Sequence, residues 1–161
     1  MLCPETYPVI LGHEALAASA VLATSAAVSL ENAKGVLIVV THTTGDNVDV
    51  TLTVDEGATA ALAVAGGSKV TTGAEFPIWV TLNAATTDVP VRQADALTYV
   101  IDADVLTGTC IVFFYISASK LTNKRQWVHL CSAGAASAIM SVHYILDGVR
   151  YPQASPLTAI A

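Results

Sequence analysis

Residues 35–57 read GVLIVVTHTTGDNVDVTLTVDEG, and two strand patterns stand back to back in them. Val36-Leu37-Ile38-Val39-Val40 is a continuous run rich in β-branched residues, the pattern of a strand covered on both faces. Gly45-Asp46-Asn47 supplies turn chemistry. Val48, Val50, Leu52 and Val54 then alternate with Asp49, Thr51, Thr53 and Asp55. Side chains on a strand point to opposite faces in turn, so this second run has one buried and one wet face. A buried strand, a turn and a half-buried strand predict a hairpin. Its polar face, Asp49 to Asp55, is expected to meet solvent.

Working outward from this unit, the chain offers mostly further short strands. Ile78-Trp79-Val80-Thr81-Leu82 puts Ile78, Val80 and Leu82 on one face and Trp79 on the other. Residues 97–101, the very apolar 110–116, 126–131 and 139–146 read the same way, and Asp147-Gly148 closes the last with turn chemistry. Glu56-Gly57 is read as a turn, residues 59–64 as a strand or short helix, and 13–30 as two short strands near 20–24 and 27–30. Strands and helices do not alternate in the manner that builds a parallel sheet. The expected fold is all-β: a single antiparallel β-sandwich, jelly-roll-like in its eight to ten strands. An N-terminal arm over 1–12, kept extended by Pro4 and Pro8, precedes the sandwich at 13–149. A tail at 150–161 follows it.

Composition narrows the function classes. Of 161 residues, 53% are apolar and 12% charged, where typical domains carry about 25% charged residues. So few charges leave two readings: much of the surface is Thr, Ser and Ala, or much of it is covered by a partner, as a large exposed apolar area marks an interface. The net charge of −6 leaves no basic footprint for nucleic acid. The densest basic cluster, Lys120, Lys124 and Arg125, reads as a solvated loop. Cys3, Cys110 and Cys131 are odd in number and widely spaced, which does not make a disulfide framework. Without a glycosylation sequon either, the chain is expected to assemble in a reducing cytoplasm. Residues 15–30 are uncharged but lack a basic flank and the roughly 20 apolar residues of a spanning helix, so no membrane segment is expected.

Candidate chemistry is weighed against plainer roles. His129 and Cys131 share a strand face, and a hairpin of 126–131 with 139–146 would bring His143 near them as a zinc-type set. Only three ligands can be named, and core or interface packing accounts for them better, so no metal and no cofactor is assigned. Asp102 and Asp104 read as a turn pair rather than a calcium loop. No Gly-x-Ser-x-Gly elbow, phosphate loop or dinucleotide fingerprint occurs, and no catalytic residue is assigned. Trp79, Trp127, Tyr115 and Tyr144 are spread over four strands, which favours core or interface anchors over a glycan-stacking platform.

From residue 30 onward the chain resembles small structural proteins of tailed bacteriophages, whose genes often lie beside that of the major capsid protein. The residues concerned are Leu30-Glu31-Asn32-Ala33-Lys34-Gly35-Val36-Leu37-Ile38-Val39, the strand from Val48 to Val54, Thr98-Tyr99-Val100-Ile101, and Phe114-Tyr115-Ile116-Ser117-Ala118-Ser119-Lys120-Leu121. The match is strongest at the end, in 139–146 followed by Asp147-Gly148-Val149-Arg150-Tyr151 and a proline-containing tail. The resemblance implies a β-sandwich virion protein of the capsid decoration or cement type. Such a protein, assembled in the host cytoplasm, sits outside the capsid lattice and bridges capsomers, with no catalytic residues. Its partners would be the major capsid protein and other copies of itself, a trimer being the form that matches a threefold site. Nucleic acid and membrane are not among the expected partners. Trp79, Trp127, Arg150 and Tyr151 are the contact candidates, because aromatic residues and arginine anchor interfaces. A neck, tail or fibre-associated role is one alternative. A carbohydrate- or protein-binding β-sandwich module is another.

Overall fold

The computed structural model describes residues 7–17, 26–43, 48–64, 68–69, 75–105, 108–122, 125–134 and 139–149. They form two antiparallel sheets packed face to face. The strands are β1 (Val9–Ala17), β2 (Val28–Ser29), β3 (Ala33–Thr43), β4 (Val50–Gly57), β5 (Ser68–Lys69), β6 (Ile78–Thr81), β7 (Val91–Arg92), β8 (Thr98–Ile101), β9 (Thr109–Ser117), β10 (Trp127–Gly134) and β11 (Ile139–Val149). One short helix, α1 (Ala60–Val64), and a 3₁₀ turn (Ala118–Lys120) complete the described elements. The six-stranded sheet runs β1-β11-β3-β9-β6-β7. The five-stranded sheet runs β2-β10-β4-β5, with β8 also on β4. The expected all-β sandwich is therefore the observed fold.

The 35–57 unit is not a hairpin. β3 lies between β11 and β9 in one sheet, and β4 between β10 and the β5/β8 pair in the other. The chain crosses between sheets, so the two strands meet across the core. Period-2 alternation reveals which face is buried, but not whether the next strand lies beside or opposite. Gly45-Asp46-Asn47 fall outside the described residues. Val36, Ile38 and Val40 face Val50, Leu52 and Val54 from opposite walls, all fully buried. The outward Leu37 and Val39 stay part-exposed, so β3 is covered on one face and not on two.

Several boundaries differ from the sequence reading. β1 takes in residues 9–12, and β2 falls in the expected 27–30 strand, while 20–24 lies outside the described residues. Residues 60–64 form α1. β6 stops at Thr81 and leaves Leu82 exposed, so Leu82 does not share the buried face of Ile78 and Val80. β10 and β11 sit in different sheets. β4 continues through Glu56-Gly57, where the sequence suggested a turn, and β11 continues through Asp147-Gly148. Residues 150–161 lie outside the described residues.

The inner face of the large sheet is built in rows across β11, β3 and β9: Leu146–Val36–Ile116, Tyr144–Ile38–Phe114, Val142–Val40–Val112 and Met140–His42–Cys110. Tyr144 reaches across the core, where its hydroxyl accepts the Leu130 amide of the opposite sheet at 3.0 Å. Gly12, the extra residue of a bulge in β1, makes room for it: a Cβ there would lie 2.3 Å from the Tyr144 ring. Tyr144→Phe should cost about 1–2 kcal/mol through the loss of this buried acceptor. Denaturant unfolding of the two proteins measures it.

His42 closes the last inner row, buried, with neither ring nitrogen hydrogen-bonded. Burial holds its pKa below the ordinary 6.5. The unfolded chain then takes up the proton first, so stability is flat above about pH 6.5 and falls as pH drops below it. His42→Leu is expected to shrink this acid limb and to raise stability by about 1 kcal/mol near neutral pH, since it removes an unpartnered polar ring. His129, also lowered by burial against the opposing pull of Asp55, retains part of the limb. Urea unfolding from pH 7.5 to 5 reads both effects; an unchanged limb contradicts the role given to His42.

Candidate functional site

The outer face of the six-stranded sheet carries two adjoining, largely apolar rows. One row crosses every strand in register: Leu11–His143–Val39–Phe113–Trp79–Arg92. A second runs Val9–Ile145–Leu37–Tyr115. Val9, Leu11 and Ile139 are 60%, 48% and 52% exposed, and the central Leu37, Val39, Phe113, Ile145 and Trp79 remain part-exposed. A lone exposed leucine needs no explanation, whereas a contiguous apolar face marks a contact surface. The one described α-helix packs instead on β4 and β10 of the other sheet.

Polar features frame this face. The Arg92 guanidinium lies 5.0 Å from the Trp79 ring centre and pairs with Asp95, holding the indole at the β6/β7 edge. At the other end, Tyr115 donates to Asp147 at 2.7 Å, over the backbone of Gly35. A Cβ on Gly35 would stand 2.9 Å from that hydroxyl. The bond to the Asp147 carboxylate, then burial, push the Tyr115 pKa up to about 12. The hydroxyl therefore stays protonated as a fixed donor.

The contact candidates read from sequence do not come together. Trp79 lies on the outer face of the large sheet. Trp127 alternates with the core-facing Val128 on the small sheet, opposite Gly57 and Ser29. Arg150 and Tyr151 lie outside the described residues. The four aromatic candidates for a stacking platform are likewise separated, with Tyr144 in the core and Trp127 on the other sheet. Asp102 accepts the Asp104 amide at 2.9 Å and Asp49 accepts that of Ala103 at 3.0 Å, a turn as expected. Arg125 does not belong to a solvated basic loop, because it is drawn to Glu56.

The His129, Cys131, His143 grouping also divides. His143 is on the outer face of the large sheet, while His129 and Cys131 are on the small one. Their third neighbour is Asp55, directly opposite His129 in the β4/β10 register. The Cys131 thiol donates to Asp55 Oδ2 at 2.9 Å, and its sulfur is 3.2 Å from His129 Nδ1. Burial and the Asp55 carboxylate push the thiol pKa up to about 12. Sequence alternation grouped Asp55 with wet Thr51 and Thr53, yet Asp55 is 7% exposed. Its neighbours are invisible to a period count: His129 and Cys131 lie on β10 and Lys69 pairs with it from β5, while Gly57, two residues on, lets α1 sit so close that a Cβ would lie 2.4 Å from the Ala63 amide nitrogen. Compared with known protein families, curated proteins and solved structures, the chain matches none.

Proposed function

We propose that this chain is a capsid decoration protein of a tailed bacteriophage, which binds the outside of the capsid lattice and bridges neighbouring capsomers. The observation that carries the reading is the five-strand outer row from Leu11 to Trp79, largely apolar, on a chain with few charges to cover it. The resemblance over residues 30–161 supplies the partner, the major capsid protein, and a sheet face is a rigid surface for repeated docking. The role is structural: the buried polar side chains Glu56 and Tyr144 serve cross-links within the fold. A ligand that binds only the assembled lattice stabilises it by mass action, and many copies multiply a modest contact.

Quantitative mass spectrometry of purified particles tests this. Copies that scale with the number of capsomers, together with DNA release at lower temperature from particles lacking the chain, are the expected results. A copy number fitting a single vertex assigns the chain to the neck or tail instead. Absence from particles, combined with glycan binding by the isolated protein, assigns it to a free binding module.

A further inference from the structure

We propose that Asp55, His129 and Cys131 form a zinc site on the outer face of the five-stranded sheet. Their ligand atoms, one carboxylate oxygen, one imidazole nitrogen and one thiol sulfur, all lie within 4.8 Å of one another. Nitrogen, sulfur and carboxylate donors are the set that zinc takes, with bonds of about 2.0 Å to N and O and about 2.3 Å to S. At tetrahedral angles those bonds separate sulfur from nitrogen or oxygen by about 3.5 Å. The observed separations from sulfur are 3.2 and 2.9 Å. Accommodating the ion therefore needs an opening of only about 0.3–0.6 Å, within the reach of small side-chain rotations.

Placement on strands favours the site. His129 and Asp55 are register partners and Cys131 is two residues on, so all three project from paired backbone rather than from a loop. α1 packs on the same two strands, β4 and β10, and Cys131, the least buried of the three, leaves an ion a way in. Charge is balanced as well. A carboxylate, a thiolate and a neutral imidazole cancel the two positive charges of zinc, which avoids the cost of a net buried charge. On binding, the Zn–S bond replaces the S–H bond and the thiol proton passes to solvent. Three protein ligands leave the fourth tetrahedral position for water.

The test uses the reduced full-length chain with zinc or cobalt chloride. Cobalt should bind one per chain, with a thiolate-to-cobalt charge-transfer band and the visible absorption of a tetrahedral centre; zinc should displace it. Cys131→Ser and Asp55→Asn should remove the charge-transfer band and weaken binding respectively. Alkylation mapped by peptide mass spectrometry reads the wild-type chain directly and needs no variant to fold. At a zinc concentration about 100 times the Kd, Cys131 should react about a hundredfold more slowly, with Cys3 and Cys110 unaffected. No thiolate band in the folded wild type, protection of Cys3 or Cys110 instead, or undiminished cobalt binding in a folded Cys131→Ser chain would each overturn the assignment.

Discussion

Glu56→Ala is expected to lower the unfolding free energy by about 3 kcal/mol, a shift in the thermal midpoint of roughly 6–12 °C for a domain of this size. Glu56 is fully buried on the inner side of β4, at one end of the sandwich. Its carboxylate gathers the 118–125 connection: it accepts the Thr122 amide at 2.9 Å, the Thr122 hydroxyl, and Arg125 Nη1 at 3.2 Å. Truncation removes three hydrogen bonds to a charged acceptor and opens a cavity at the sheet end. The figure sits at the low end for a broken buried pair because the Arg125 side chain is 31% exposed and can rehydrate. Lys120→Ala, an exposed neighbour without such a role, should stay within about 0.5 kcal/mol. Chemical denaturation of the three proteins measures the difference. A Glu56→Ala loss as small as that of Lys120→Ala would show that the carboxylate does not organise this connection.

Phe113→Asp should leave the fold in place and abolish most of the proposed lattice binding. Phe113 stands mid-row between Val39 and Trp79, part-exposed on the outer face. A charge there faces water in the free protein and costs stability only through lost cross-strand packing, about 1 kcal/mol. In a docked face the same charge is desolvated without a partner. Loss at a buried aromatic anchor is at least about 2 kcal/mol, which weakens binding about 30-fold or more. Thr51→Asp, on the outer face of the other sheet, is the control and should bind as the wild type does. Co-sedimentation with particles stripped of the chain separates the two. Equal binding by Phe113→Asp and wild type would move the contact away from this face.

The contrast between Phe113 and Glu56 indicates what the sequence could disclose. Alternation identified the buried face of β4, Val50, Leu52 and Val54, whereas the continuous run at 36–40 suggested cover on both faces and the continuous run at 110–116 assigned none. It also set Trp79 apart from Ile78 and Val80. Periodicity is a local property, and burial against a core follows it directly. Edge pairing is not local. Whether β4 would lie beside β3 or opposite it depends on β10 and β11, more than 70 residues downstream. Glu56 looked like a turn residue because its partners, Thr122 and Arg125, are equally remote. Asp55 looked wet because its neighbours His129 and Cys131 lie on β10, far along the chain. The candidate zinc set was legible only as far as His129 and Cys131 on one strand. The third ligand required the register. Of the proposed docking face, the sequence suggested apolar content through the shortage of charge, but not the in-register row that makes it one surface.

The most direct measurement is a side-chain-resolution reconstruction of the particle that carries this protein. The proposed decoration role predicts density for the sandwich on the outer capsid surface, with Leu11, Val39, Phe113 and Trp79 buried against the capsid lattice across a capsomer boundary. The same row turned toward solvent, or the sandwich seated through its five-stranded sheet, would contradict it.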